Sequence, residues 1–435
     1  MTIFALATAP GRAAIAVIRV SGPAAGETVR YLTGRDLPAA RQAVLRRLQD
    51  RRSGESIDQS LILWFPAPDT VTGEDVAEFH VHGGRAVVHG VLDALAAVPG
   101  VRPAEPGEFT RRAVLNGKMD LVEAEAVADL VAADTSRQRH QALGQLQGFH
   151  SAVYDGWRQR LVDAMARLEA VIDFPDEELP AGLLDDNAAA VTALEDEVRA
   201  HLDDARRGER LREGLSVVIL GAPNVGKSSL LNALAGNDAA IVSAEAGTTR
   251  DTVEVTMDIA GFAVSLVDTA GLREVPQGVE GEGIRRALKR ARTADLTLLV
   301  ADSSRWDETW PRIEPHCDGN ALVVAGKADL ALPPPGVPGL STKTGEGIDR
   351  LIDAMAQRFR LAWQGAGLSP SRARHRAALL QVADALARYR DLEAGDVTLA
   401  AEDLRLAATA LGRLTGRVDV EDLLDVIFSE FCIGK

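Results

Sequence analysis

Along the first 117 residues, short apolar runs alternate with Gly/Pro turns, as in AAIAVIRVSG (13–22) and LILWFP (61–66). Alternation of this kind puts every second side chain on one face of a strand and predicts an α+β region, with one helical stretch near Ala86–Ala97. From Asp120 to Gly214 the period lengthens. Ala, Leu, Glu, Gln and Arg dominate, and apolar residues recur at helical spacing, as at Leu161, Met165, Leu168 and Ile172, so the segment predicts successive helices broken at DFPDEELP (173–180). LSVVILG (215–221) then opens alternating strand and helix signals that run to about Arg360, the pattern of a doubly wound α/β unit. Proline-rich LPPPGVPG (332–339) inside it is expected as a surface loop, and residues 372–430 return to helix. Domain termini lie close together at the surface, so the two helical stretches predict one discontinuous domain with the α/β unit inserted. The expected boundaries are 1–117, 118–213 plus 370–435, and 214–369.

The α/β unit carries the most specific chemistry. GAPNVGKSS (221–229) matches G-x-x-x-x-G-K-[ST] between a predicted strand and a helix starting near Ser228. Backbone N–H groups from Asn224, Val225, Gly226 and Ser229 would cradle phosphate oxygens, with Lys227 on the β- and γ-phosphates and the Ser228 hydroxyl on Mg²⁺. Further segments follow in the order a GTPase requires. GTTRD (247–251) offers Thr249 to Mg²⁺; DTAG (268–271) follows the strand AVSLV and puts Asp268, Thr269, Ala270 and Gly271 beside the metal shell and γ-phosphate. GKAD (326–329) follows ALVVA, with Asp329 selecting guanine and Lys327 beside it, and STKTGEG (341–347) closes the base pocket through Ser341, Thr342 and Lys343.

Two departures from the common pattern stand out. Gly326 replaces the Asn of N-K-x-D, removing one hydrogen bond to the base and a brace on the phosphate loop, and this predicts weaker GTP binding with guanine preference kept by Asp329. Leu272 occupies the position where Ras-like enzymes carry a water-orienting Gln, so the attacking water must be handled otherwise. Glu280 and Glu282 in VEGEGIRRA (279–287) are the nearby acids, although acidic residues also simply favour a helix start.

Composition narrows the classes. The 435 residues are 46% hydrophobic without a run long enough for a membrane helix, and the first twenty lack the apolar stretch of a signal peptide, so a cytosolic protein is expected. Cys317 and Cys432 are too few for a disulfide framework or a zinc site. The formal charge is −15, concentrated in residues 118–214, where 21 acids face 11 bases, whereas residues 1–117 hold 12 against 13. That balance opposes broad nucleic-acid binding and leaves a local basic patch or a partner as the route to RNA.

These motifs, together with GEDVAEFHVHGG, RPAEPGEFTRRAVLNGKMDLVEAEAVADL, IDFPDEE and the terminal FCIGK, resemble the MnmE (TrmE) family of bacterial tRNA-modification GTPases over essentially the whole chain. The resemblance implies an N-terminal domain that binds folate and dimerises, a helical domain, and an inserted Ras-like G domain. It further implies a homodimer that joins the flavoprotein MnmG in a heterotetramer. That complex uses GTP, Mg²⁺, K⁺ and 5,10-methylenetetrahydrofolate or a related reduced folate, with 5-formyltetrahydrofolate as an analogue, to install an aminomethyl or carboxymethylaminomethyl group on the wobble uridine of tRNA. Asn224 matches the family's potassium ligand, as do Ser243, Glu245 and Thr248 in SAEAGTT, with Ser243 and Thr248 also beside GTP. Glu280 falls on its water-activating glutamate. The folate pattern maps onto Arg19, Glu78, Lys118 and Lys435. His80 and His82 read as structural rather than metal-binding.

The tail sets its own question. CIGK fails as a prenylation box because Gly434 is not aliphatic and the preceding EDLLDVIFSEF is acidic. By the resemblance the tail reaches the folate residues, with Cys432 nearby as nucleophile, redox group or packing. The competing reading of the chain is an Era- or Der-like ribosome-assembly GTPase, which shares the G motifs but carries basic RNA-binding domains.

Overall fold

The computed structural model describes residues 1–173, 182–237, 239–241, 254–268, 289–363, 369–392, 396–418, 424–425, 427–428, 431 and 434, with backbone only at Ala205, Glu254 and Asp268. They form two compact units. One comprises Met1–Ala128, Leu146–Met165 and Arg405–Lys435; the other comprises Asp129–Gln145 and Ala166–Leu404.

The first unit is built on β1 (Thr2–Leu6), β2 (Ala13–Ser21), β3 (Val44–Gln49), β4 (Ser56–Phe65), β5 (Val76–Gly83) and β6 (Val101–Pro103), with α1 (Ala25–Thr33), α2 (Arg85–Ala96) and α3 (Glu108–Leu115). Strand order is β3-β4-β5-β2-β1-β6, antiparallel except for the β1–β6 pair. The alternation read from the sequence decides which side chains face which way. Ile18, Val20, Ile62, Trp64, Phe79 and Val81 point to one face and pack on Val29 and Leu32 of α1 and Val91 and Leu95 of α2. Arg19, Ser21 and Glu78 therefore fall on the other face, where Ile3 and Ala5 pack against Phe109 of α3.

The C-terminal segment belongs to this unit. Leu424, Ile427, Phe428 and Phe431 bury themselves against Leu121 and Ala124 of α4 (Leu121–Ala132), with the Phe428 and Phe431 rings 5.2 Å apart. Each buried Phe contributes about 2–3 kcal/mol of transfer free energy.

Helices α5 (Ser136–Leu146), α6 (Phe149–Asp173), α7 (Leu183–Asp203) and α8 (Ala205–Glu213) confirm the helical middle. In the second unit, β7 (Leu215–Gly221), β8 (Glu254–Ile259), β9 (Phe262–Asp268), β10 (Leu296–Asp302) and β11 (Ala321–Gly326) form a sheet of order β11-β10-β7-β9-β8, with β8 the antiparallel member. The unbroken apolar run of β7 has its explanation here, because both faces of the strand are covered. Val217 and Ile219 meet α9 (Lys227–Ala235) and α10 (Ile348–Ala362), whereas Val218 and Leu220 meet Leu299 and Ile313. Residues 338–340 add only a single bridge to β11, between Gly339 and Ala325, in place of a sixth strand. Helices α11 (Ala373–Asp391) and α12 (Val397–Thr415) follow the sheet unit, and short helical turns between Ser303 and His316 link β10 to β11. Among the described residues no helix is long and apolar enough to cross a membrane.

Candidate functional site

Parallel pairing brings the carboxyl ends of β7, β9, β10 and β11 to one edge of the sheet: Ile219 is level with Asp268, Gly221 with Val300, and Asp302 with Gly326. This edge is where an open α/β sheet presents its crevice. The phosphate loop leaves β7 at Gly221, where a β-carbon would sit 2.5 Å from the Val300 carbonyl, so only glycine fits. Asn224 (φ +62°) and Gly226 (φ +100°) turn the chain left-handed on either side of Val225, and α9 starts one residue before the expected Ser228, at Lys227. Two left-handed residues at a helix N-terminus aim consecutive N–H groups into one concavity, a cradle for phosphate oxygens. Lys227 is buried, and its Nζ donates to the carbonyls of Gly221 (2.9 Å) and Ala222 (3.0 Å), which suspends the ammonium across the loop. Ser228 and Ser229 are exposed at the helix mouth, where a hydroxyl can meet a hydrated Mg²⁺.

The segments expected to bind the base are tied to this loop. Lys327 (φ +57°) donates from Nζ to the Asn224 carbonyl (2.8 Å) and to Asp302 Oδ2 (2.7 Å). Burial alone would raise the Asp302 carboxyl, but hydrogen bonds from Lys327 and Ser304 outweigh it and hold the group below the ordinary carboxylate range. Asp302 is thus an anion at neutral pH and keeps Lys327 on the loop. Asp329 Oδ1 accepts from Ser341 Oγ (2.7 Å), and the same oxygen of Ser341 accepts from the backbone N–H groups of Lys343 and Thr344 (3.3 Å each). Thr342 follows Ser341 in that turn, so GKAD and STKTG form one prearranged pocket.

The glycine of GKAD has a local explanation. A β-carbon at 326 would lie 3.3 Å from the Val225 carbonyl and 3.4 Å from Val300 Cγ1, so the position faces the phosphate loop at close range. With no side chain at 326, the brace on the loop from this segment is the Lys327 bond to the Asn224 carbonyl. Gly326→Asn is expected to add a second brace and to tighten GTP binding about fivefold, the value of one net hydrogen bond. Titration with a fluorescent GTP analogue checks this, and unchanged or weaker affinity contradicts it.

Sequence reasoning misses Asp302. Its signal is present as the last residue of LTLLVAD before Ser303-Ser304, an acid at a strand end whose side chain caps the following turn at Ser304 N. Ser243, Glu245, Thr248, Thr249, Thr269, Ala270, Gly271 and Glu280 lie outside the described residues, as do Cys432 and Lys435.

On the first unit's open sheet face, Arg19 and Glu78 stand level on β2 and β5. Arg19 donates to Glu78 Oε1 from Nε (2.9 Å) and pairs with it through a second guanidinium nitrogen (2.8 Å), and its guanidinium lies 6.0 Å from the Phe109 ring centre. Glu78 Oε2 lies 3.3 Å from His80 Nε2, and His82 Nδ1 lies 2.8 Å from Asp58, so both histidines already have carboxylate partners. Two residues along β2, the Ser21 hydroxyl bonds Thr72 (2.7 Å) and Glu74 (2.8 Å), and Arg112 joins Glu74 to Glu108. Burial would raise Glu108, but Arg102, the Glu105 N–H and Arg112 hold it down as an anion. Lys118 is exposed at the far end of this network, where Asn116 donates to the Thr72 carbonyl (2.7 Å) and the Lys118 stem packs over Gly73. The face thus offers a part-buried carboxylate and nearby cations over a buried aromatic floor, which suits a ligand with N–H donors and an anionic tail.

The tail runs past the start of α3 to the end of β1. A β-carbon at Gly107 would meet the Phe428 carbonyl at 2.9 Å, and one at Gly434 (φ +101°) would overlap the Leu6 carbonyl. Leu6 pairs with Ile18, next to the Ala5–Arg19 pair, so the last described residue of the tail approaches the strand ends beside Arg19.

Comparison with known proteins covers the whole chain. The family model for the MnmE helical domain matches residues 121–432, and the model for the GTP-binding protein TrmE N-terminus matches residues 2–118. Proteins named tRNA modification GTPase MnmE are 54% identical over all of this chain and all of the relative in Parvibaculum lavamentivorans, and 52% identical over 100% and 99% in Paramagnetospirillum magneticum. A human mitochondrial relative, 49% identical over 100% of this chain and 93% of its own, is named 5-taurinomethyluridine-[tRNA] synthase subunit GTPB3.

Proposed function

We propose, for a chain that belongs to the MnmE family of tRNA modification GTPases, that it uses K⁺-dependent GTP hydrolysis to drive one-carbon transfer from a reduced folate to the wobble uridine of tRNA. It does so as a homodimer assembled with the flavoprotein MnmG, and the product is 5-aminomethyl- or 5-carboxymethylaminomethyluridine. The observation that carries the GTPase part is the bond network joining phosphate loop, Lys327, Asp302, Asp329 and Ser341. These residues hold the guanine and triphosphate sites in fixed register before substrate arrives, so little ordering cost falls on binding.

The division of labour follows from position. Lys227 leaves its carbonyl partners for the β- and γ-phosphates and neutralises charge that grows as the γ-phosphoryl transfers. Ser228 and Thr249 would hold Mg²⁺, which offsets phosphate charge. Asn224, with Ser243, Glu245 and Thr248, would hold K⁺ near the β- and γ-phosphates, where an arginine finger acts in other GTPases. Glu280 positions the attacking water that Leu272 cannot. In the first domain, Glu78 would accept from ring N–H groups of the pterin and Arg19 and Lys118 would meet the folate carboxylates, with Lys435 and Cys432 assigned to the same site by family resemblance alone.

The folate reading predicts that Glu78→Gln weakens 5-formyltetrahydrofolate binding about tenfold or more, because the lost carboxylate acceptor is charge-assisted. Isothermal titration checks it, and unchanged affinity contradicts the placement. The GTPase reading is tested by turnover in K⁺ against Na⁺: K⁺ is expected to give a rate at least about tenfold higher, and equal rates would overturn the potassium mechanism.

A further inference from the structure

The chain is acidic, yet residues 30–52 hold seven arginines, no lysine and two aspartates, a net of +5 against −15 for the whole. They surround β3, the edge strand of the first unit's sheet. Arg30 pairs with Glu27 (3.7 Å) and Arg52 with Asp50 (2.8 Å). The other five, Arg35, Arg41, Arg46, Arg47 and Arg51, have no carboxylate partner among the described residues. Three of those guanidiniums donate instead to main-chain carbonyls: Arg41 to Asp69, Arg46 to Asp36, and Arg51 to Tyr31 (2.7 Å). A carbonyl orients a guanidinium without cancelling its charge, so the edge is an ordered cationic strip.

Edge strands often carry a charge to block pairing with other chains. One or two residues suffice for that, whereas here the cations extend from the end of α1 through the β3–β4 turn, and Leu45 between them is left exposed. We propose that this arginine-lined edge docks the phosphodiester backbone of the structured RNA on which the chain acts. The inference rests on the tRNA-modification reading and adds to it a surface for the substrate. Six residues of strand span about 20 Å, enough to meet several phosphates along one RNA strand, and Arg46 and Arg47, on opposite faces of β3, let the edge grip phosphates on either side. Recognition of this kind reads charge and A-form shape rather than base sequence.

The experiment measures binding of a transcribed tRNA to the full chain across a salt series, for the wild type, for Arg46→Ala/Arg47→Ala/Arg51→Ala and for the matching triple Lys variant. The Ala variant is expected to bind about tenfold more weakly at about 0.1 M salt, with the slope of log affinity against log salt shallower by about two, since each phosphate no longer neutralised removes roughly one unit or slightly less. The Lys variant is expected to keep most of both, since charge is what the surface supplies. GTP turnover, which uses none of these residues, reports that all three proteins are folded. An Ala variant with wild-type affinity and slope overturns the proposal, as does one that keeps tRNA affinity but changes its sedimentation, which would assign β3 to pairing between chains. A wild-type chain that binds no tRNA at all would count against direct engagement of the substrate, and so against the proposal, without touching the family assignment.

Discussion

Replacement of Lys227 by alanine is expected to lower GTP turnover about 1,000-fold, corresponding to roughly 4 kcal/mol of lost transition-state stabilisation. Lys227 is buried and its ammonium is already held across its own loop by two carbonyls, which it exchanges for phosphate oxygens when the nucleotide binds. Lys227→Arg is expected to fail as well, since a planar fork does not fit between the Gly221 and Ala222 carbonyls as a point charge does. Single-turnover hydrolysis with purified protein measures this directly. A variant retaining more than about a tenth of the rate, a deficit under roughly 1.4 kcal/mol, would remove Lys227 from the phosphate site.

The second large effect lies at the other end of the chain. Gly434 has φ +101° and no room for a β-carbon beside the Leu6 carbonyl, so Gly434→Ala meets both backbone strain and a steric clash. The terminal residues are then expected to leave β1 while Phe428 and Phe431 stay buried against α4. If the tail completes the proposed folate site, tRNA modification falls to background and GTP turnover stays at the wild-type rate. Loss of both activities would mean that the tail supports folding. Loss of neither would make Cys432 and Lys435 bystanders.

The two sites differ in how far sequence alone reveals them. The phosphate loop is legible because its conformation depends on short-range spacing: Gly221, Gly226 and Lys227 are required where they stand by the turn itself. The partners of Lys327 are not, because Asp302 reaches it only through the β10–β11 register that sets Asp302 opposite Gly326. Likewise, alternation along β2 and β5 shows that Arg19 and Glu78 leave the apolar face, but only the strand pairing makes them neighbours. Gly326 differs most between the two views. The sequence shows a missing Asn, whereas the structure shows the adjacent lysine bonded to the phosphate loop. The tail's approach to β1 has no local signal at all beyond its aromatic residues, since Leu6 and Gly434 stand at opposite ends of the sequence.

On the proposed reading, a folate site and a GTP site act together in wobble-uridine modification, and both must be intact for the product to form. Mass spectrometry of wobble nucleosides, in cells lacking the gene and carrying wild type, Lys227→Ala or Glu78→Gln, decides whether they are so coupled in this chain. The expected result is full modification with the wild type and unmodified uridine with either variant. Modified uridine in cells that lack the gene, or restored by both variants, would contradict it.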